Sequence, residues 1–230
     1  MNSEQTERRN IKGKDALIAV LVIGSLWGLS EALMGQVIRE IALPLRAGLL
    51  TGIGMGCMGF FLGMTGKLKY LPFVALVTMV TTQLCVPVLQ CSVLCKANTS
   101  LAVILHGISL AGVAAIAGNR MKGSLWMKSG VAFTAALASA TVFYFGGMNL
   151  APCNYLLSFN HSFGLVSFLM KEGLVWGLFC MVLFPAGYYL GERSFRGVDI
   201  FRETRPVLCY GSSALVVLVC WISIAVSVAG

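Results

Sequence analysis

Seven runs of about twenty apolar residues dominate this chain, at positions 16–38, 47–66, 70–89, 100–118, 130–148, 163–190 and 207–228. A helix needs ~20 such residues to cross the hydrocarbon core of a bilayer. Lipid offers no partners for backbone N–H and C=O groups, so segments of this kind cross as helices. The expected fold class is therefore all-α: a polytopic transmembrane helix bundle of about seven spans. Residues 1–15 form a short N-terminal segment, and residues 16–230 a single transmembrane domain. Composition excludes the soluble alternative, because only 11% of the residues are charged and mean hydropathy is +0.84, against ~25% charged in soluble domains. The first run lacks an A-x-A-like cleavage site, which makes it a retained helix rather than a signal peptide.

The 17 Lys and Arg residues are not spread evenly. Arg8, Arg9, Lys12 and Lys14 precede the first run, and Lys67 and Lys69 join the second to the third. Arg120, Lys122 and Lys128 join the fourth to the fifth; Arg193, Arg196, Arg202 and Arg205 join the sixth to the seventh. Thirteen cations thus fall on one side, against Arg39, Arg46 and Lys96 on the other. The positive-inside rule then puts the N-terminus in the cytoplasm and the C-terminus outside, in a bacterial inner membrane. The net charge of +8 is a topology signal and not a nucleic-acid footprint.

Ionisable groups inside apolar spans are costly and normally face the bundle interior or a water-filled cavity. Glu31, His106, Lys171 and Glu172 qualify, and with Gln83 they all fall in the outer half of their spans. Such grouping by depth is what a shared cavity, open to the outer face, would require. A buried network tying helices together, with Glu31 or Glu172 paired to Lys171, is the alternative. Lys171 and Glu172 are neighbours, about 100° apart on a regular helix, so they are not expected to point at one spot. Gly24, Gly28 and Gly35 share a face with Glu31, and the second span repeats the pattern at Gly52, Gly56, Gly59 and Gly63. These small-residue faces predict close packing of the first two spans, with Glu31 turned into protein and Trp27 beside it as a possible cavity wall.

Of eight cysteines, Cys57, Cys180, Cys209 and Cys220 sit in or near spans and read as small apolar packers. Cys85, Cys91, Cys95 and Cys153 gather on the outer side, where an oxidising compartment would favour one or two disulfides. A soft metal held by Cys91, Cys95 and Cys153 is a second reading. Thiol redox chemistry is a third, although it favours a C-x-x-C pair that the chain lacks. The outer segment 149–162, with Pro152, Asn154, Asn160 and His161, has the length and polarity of a lid.

No nucleotide-binding or hydrolytic motif stands out, so no enzyme activity is expected and no cofactor is indicated. The stretches "GSLWGLSEALMG", "RAGLLTGIGMGCMGFFLGM" and "NTSLAVILHGISLAG" resemble a group of bacterial membrane proteins. That group is in turn similar to the substrate-binding S components of energy-coupling-factor transporters. The resemblance covers the first four spans, including Arg46 at the start of a glycine-rich helix and a polar helix end at residues 98–100. It implies a six-helix core that binds a small solute near the outer face and borrows an ATPase and a coupling membrane subunit. The chain departs from that pattern in its seventh span and in lacking an N-terminal histidine arrangement. Residues and resemblance together lead to small-solute binding and uptake as the expected function. Glu31, His106 and Glu172 would be polar contacts, with Lys171 as counter-ion, Gln83 as hydrogen-bonding neighbour and Trp27 as wall. A thiol or metal-handling protein, or a membrane anchor of a larger complex, are the rivals.

Overall fold

The computed structural model describes residues 13–40, 45–83, 93–150 and 152–229. Among them there is no strand. Ten α-helices follow in order among the described residues: α1 (Gly13–Glu40), α2 (Arg46–Thr65), α3 (Leu71–Gln83), α4 (Val93–Ala117), α5 (Arg120–Gly123), α6 (Leu125–Leu150), α7 (Asn154–Leu157), α8 (Gly164–Phe168), α9 (Leu174–Thr204) and α10 (Pro206–Ala229). Six stretches are long and apolar enough to cross a membrane, which makes this a multi-pass membrane protein. The third expected span, 70–89, is the one missing from these six: it begins as α3, of which 13 residues are described, and its remainder lies outside the described residues.

Helix neighbours form a closed cycle: α1 packs on α3, α3 on α4, α4 on α6, α6 on α9, α9 on α2, and α2 on α1. Helix α10 stays outside this ring against α1, through Trp221 Nε1 donating to Ser25 Oγ at 3.1 Å and Ile224 packing on Leu29 and Ala32. Trp27, Met55, Met58, Phe61, Leu71 and Leu110 fill the interior, each at most 2% exposed. The basic loops meet at one end of the bundle. There Asp15 of α1 accepts from Arg202 of α9 at 2.7 Å and from Tyr210 of α10 at 3.0 Å.

The glycine faces are used, but not between the first two spans. Gly24 and Gly28 of α1 meet Val77 and Thr81 of α3, whereas the α2 glycines lie against α9. A methyl on Gly63 would fall 2.0 Å from Tyr188 O, and one on Gly187 of α9 would fall 2.0 Å from Gly56 O. Only a missing Cβ lets these two parallel backbones approach so closely. Helix α1 instead reaches α2 through the Trp27 ring, whose Cζ2 would lie 2.3 Å from a methyl on Gly54.

The sixth expected span is longer than its sequence limits. From Gly164 the helical run continues to Thr204, 41 residues in all, or ~60 Å at 1.5 Å per residue, twice the ~30 Å hydrocarbon core. Its arginine-bearing end, read from the sequence as a loop, is helical. Pro185 lies inside α9 and is fully accommodated. Proline leaves the carbonyl four residues earlier without its helical donor. That carbonyl, Met181 O, accepts instead from Ser129 Oγ of α6 at 2.9 Å.

Candidate functional site

The end of the bundle opposite the basic loops carries the polar residues singled out from the sequence. Antiparallel register between α4 and α6 is set by Gly146 against Leu101 and Gly147 against Asn98. Carried inward, the same register brings Ser139 to the level of His106. Trp176 of α9 joins them, because side chains on a helix lean toward its N-terminus. Its ring centroid lies 5.4 Å from His106, 5.8 Å from Phe143 and 6.2 Å from Phe168. His106, Ser139 and Trp176 are almost wholly buried. One ring nitrogen of His106 is engaged by the backbone of Ala102. Its other nitrogen, Nε2, together with Trp176 Nε1 and Ser139 Oγ, has no hydrogen-bond partner. Buried polar groups are nearly always paired, and leaving one unpaired costs about 1–3 kcal/mol. His106 and Trp176, walled by Phe143 and Phe168, form the candidate site, with Ser139 of the neighbouring helix α6 placed at their level by register.

A folded cap covers this end. Leu156 of α7 is buried against Gly147, and Tyr144 of α6 donates to Phe159 O at 3.1 Å. Phe159 stacks edge-on with Phe168 and Tyr155, both at 5.4 Å. The cap closes through Phe163, whose φ of 68° lies in the left-handed region. The next residue must be glycine, since a Cβ on Gly164 would sit 1.7 Å from Phe159 O. The segment expected to be lid-like is thus a short helix and a tight turn fastened to α6 and α8.

Lys171 and Glu172 belong to a π-helical turn, Leu169–Gly173. Contrary to the regular-helix expectation, both meet one residue of the cap. Tyr155 OH donates to Glu172 Oε1, and Lys171 Nζ lies 6.0 Å from the Tyr155 ring centroid and 5.8 Å from that of Phe159. Burial, then the hydrogen bond and charge of Glu172, push the Tyr155 phenol above its ordinary range, and Arg46 nearby opposes this. Single-turn π segments occur often at functional sites.

The remaining expected residues are dispersed. Gln83 donates to Ser100 Oγ of α4. Glu31 is half-buried on α1 near Cys57 of α2. The Trp27 indole N–H has no acceptor in hydrogen-bonding geometry, although Glu31 lies one turn on along the same side. Among the described residues neither Glu31 nor Glu172 pairs with Lys171. Residues Cys85 and Cys91 lie outside the described residues, as does the side chain of Cys95. Cys153 is a half-buried free thiol, and among the described residues no His, Cys, Asp or Glu group forms a metal-holding cluster. Sequence reading missed Ser139 and Trp176. Trp176 follows Glu172 by four residues, so the helical spacing from a known candidate was the signal available.

Fold and site together define an all-helical, multi-pass membrane protein. No known protein family, curated protein or solved structure matches the chain.

Proposed function

We propose that this protein binds a small solute inside the helix ring, beneath the 152–163 cap, and serves its uptake across a bacterial inner membrane. The observation that carries this reading is the trio of unpartnered buried atoms: His106 Nε2, Trp176 Nε1 and Ser139 Oγ. Two of the three have a hydrogen to give, and the aromatic walls suit a flat, largely uncharged molecule with acceptor groups. Glu172 and Lys171 work one level further out, holding the cap through Tyr155. Glu31 and Trp27 line the α1–α2 side, and Gln83 braces α3 against α4. Under the S-component resemblance of the sequence, an ATPase and a coupling subunit would supply the energy. The basic end would then face the cytoplasm.

The test is purification in native lipid, followed by mass spectrometry of bound small molecules and associated proteins. A solute should be recovered with the wild type and lost from His106→Phe and Trp176→Phe proteins that remain folded. Recovery of no solute from the wild type, with H106F simply more heat-stable, would overturn the proposal, since an unpaired core histidine gains from apolar replacement.

A second reading has its own support. Gln83 and Glu172 each hold a neighbouring element, as they would in a membrane anchor of a larger complex. Co-purification separates the two: an ATPase and coupling protein favour uptake, an electron-transfer or other assembly favours the anchor.

A further inference from the structure

Two hollows flank α9 on the outer surface of the ring, away from the candidate site. One, of about 640 Å³, lies between the start of α6 and α9, with Trp126, Lys128, Pro185, Ala186 and Tyr189 in its walls. The other, about 460 Å³, is wholly apolar and lies between α2 and α9, lined by Leu49, Leu178 and Leu183. Val182 borders both. Trp126, Val182 and Tyr189 are 83%, 62% and 61% exposed, on helices apolar enough to face lipid.

We propose that the α6–α9 hollow is a binding site for an anionic phospholipid, with the chain continuing past Val182. Three features fit that occupant. Polarity is graded along the groove: Lys128, Trp126 and Tyr189 mark one end, the residue types that gather at headgroup depth, and the rest of the lining is apolar apart from Ser129, whose hydroxyl is turned to Met181 O. Length agrees as well. Tyr189 to Leu178 is eleven residues, ~16 Å of helix, close to half of the ~30 Å core that one leaflet provides.

The charge is complementary. Lys128, in the wall of the hollow, holds its ammonium 4.4 Å from the centre of the Tyr188 ring. Arg193 is exposed one turn beyond Tyr189 on the same face of α9. The first turn of α6 adds its positive helix end, where Met127 N–H donates to Ser124 Oγ at 3.4 Å. A protein helix would fill the apolar part equally well, but would leave these cations without a matching group.

Trp126 makes the test direct. The full chain is reconstituted in phosphatidylcholine vesicles in which a fixed fraction of either phosphatidylglycerol or phosphatidylcholine carries dibrominated acyl chains. The Trp126 share of fluorescence is taken as the difference from Trp126→Phe protein. Brominated phosphatidylglycerol should quench that share at least about two-fold more than brominated phosphatidylcholine, given the attraction of each surface cation for anionic lipid. The double variant K128Q/R193Q should abolish the preference, and Ala186→Phe, which fills the groove, should reduce quenching by both lipids. Equal quenching by the two lipids in the wild type, or a preference that survives K128Q/R193Q, would overturn the proposal.

Discussion

Ser129 and Pro185 show how a single side chain makes a membrane helix tolerable. In lipid no water takes up the carbonyl that a proline releases, and Ser129 Oγ does so across 52 positions of sequence. Ser129→Ala should therefore cost about 1 kcal/mol, the net worth of such a bond. In a Pro185→Ala background, where the restored N–H serves Met181 O, the same change should be nearly silent. A double-mutant cycle on thermal unfolding in detergent reads the difference, and additive losses would show that the two residues are not coupled. Tyr155 offers a second residue-level test. Its phenol is raised by burial and by Glu172, so whatever it contributes to stability is complete below pH ~10, the ordinary tyrosine value, and is lost as pH climbs through the higher folded value. The phenolate absorbance that vanishes in Y155F protein should appear only above the ordinary range, and Glu172→Gln should bring it down. A titration unmoved by E172Q would remove the cap contact from this account.

At the level of elements, glycine separates two kinds of position that look alike in sequence. Gly187 and Gly191 of α9 face backbone, with Gly56 O and Phe60 O at 2.0 and 2.1 Å from an added methyl, whereas Gly112 of α4 meets nothing within 4 Å. Overpacking costs about 1–3 kcal/mol when side chains can yield, and backbone yields less. Gly187→Ala and Gly191→Ala should therefore destabilise by at least that amount, while Gly112→Ala should be neutral or gain about 0.5–1 kcal/mol from helix propensity. Melting temperatures of the three purified variants decide it. The same glycines mark the limit of legibility. Their spacing announced that something approaches closely, but not which helix, because a face carries no record of its partner; α1 turned out to use α3, and α2 to use α9. Apolar runs were legible because lipid demands them. The helical end of α9 was not, since Arg193, Arg196 and Arg202 read as a loop when the 3.6-residue pattern changes its solvent. Nor was the π turn, which differs from an α turn by one residue and leaves no apolar period. His106 was legible as a costly group in an apolar span; Ser139 and Trp176 were not, because serine and tryptophan are ordinary residues until a structure shows their polar atoms unpartnered.

For the whole molecule, the folded ring turns a charge count into a geometric statement. The starts of α1, α3, α6 and α10 and the ends of α2, α4 and α9 share one end, where Asp15, Arg202 and Tyr210 clasp three helices. Lys67 and Lys69 lie over Tyr70, and Lys128 over Tyr188, aromatic and basic pairs of the kind that sit at a membrane–water boundary. Beyond Tyr189, α9 continues for fifteen residues to Thr204, ~22 Å further, carrying arginines that lipid would not accept. Such an end belongs on the side where cations are retained, so α9 should project into the cytoplasm and α10 should return the chain to the outside. Alkaline phosphatase fused after Gly230 should then be active and a green fluorescent protein fused there dark, with the reverse for fusions placed after Arg205. Replacing Lys67, Lys69, Lys128 and Arg193 together by glutamine, while adding lysines to the α6–α7 connection, should shift part of the population to the opposite pattern. If a phosphatase at Gly230 is silent in the unmodified chain, the basic end faces outward, and the proposed solute site would then open to the cytoplasm.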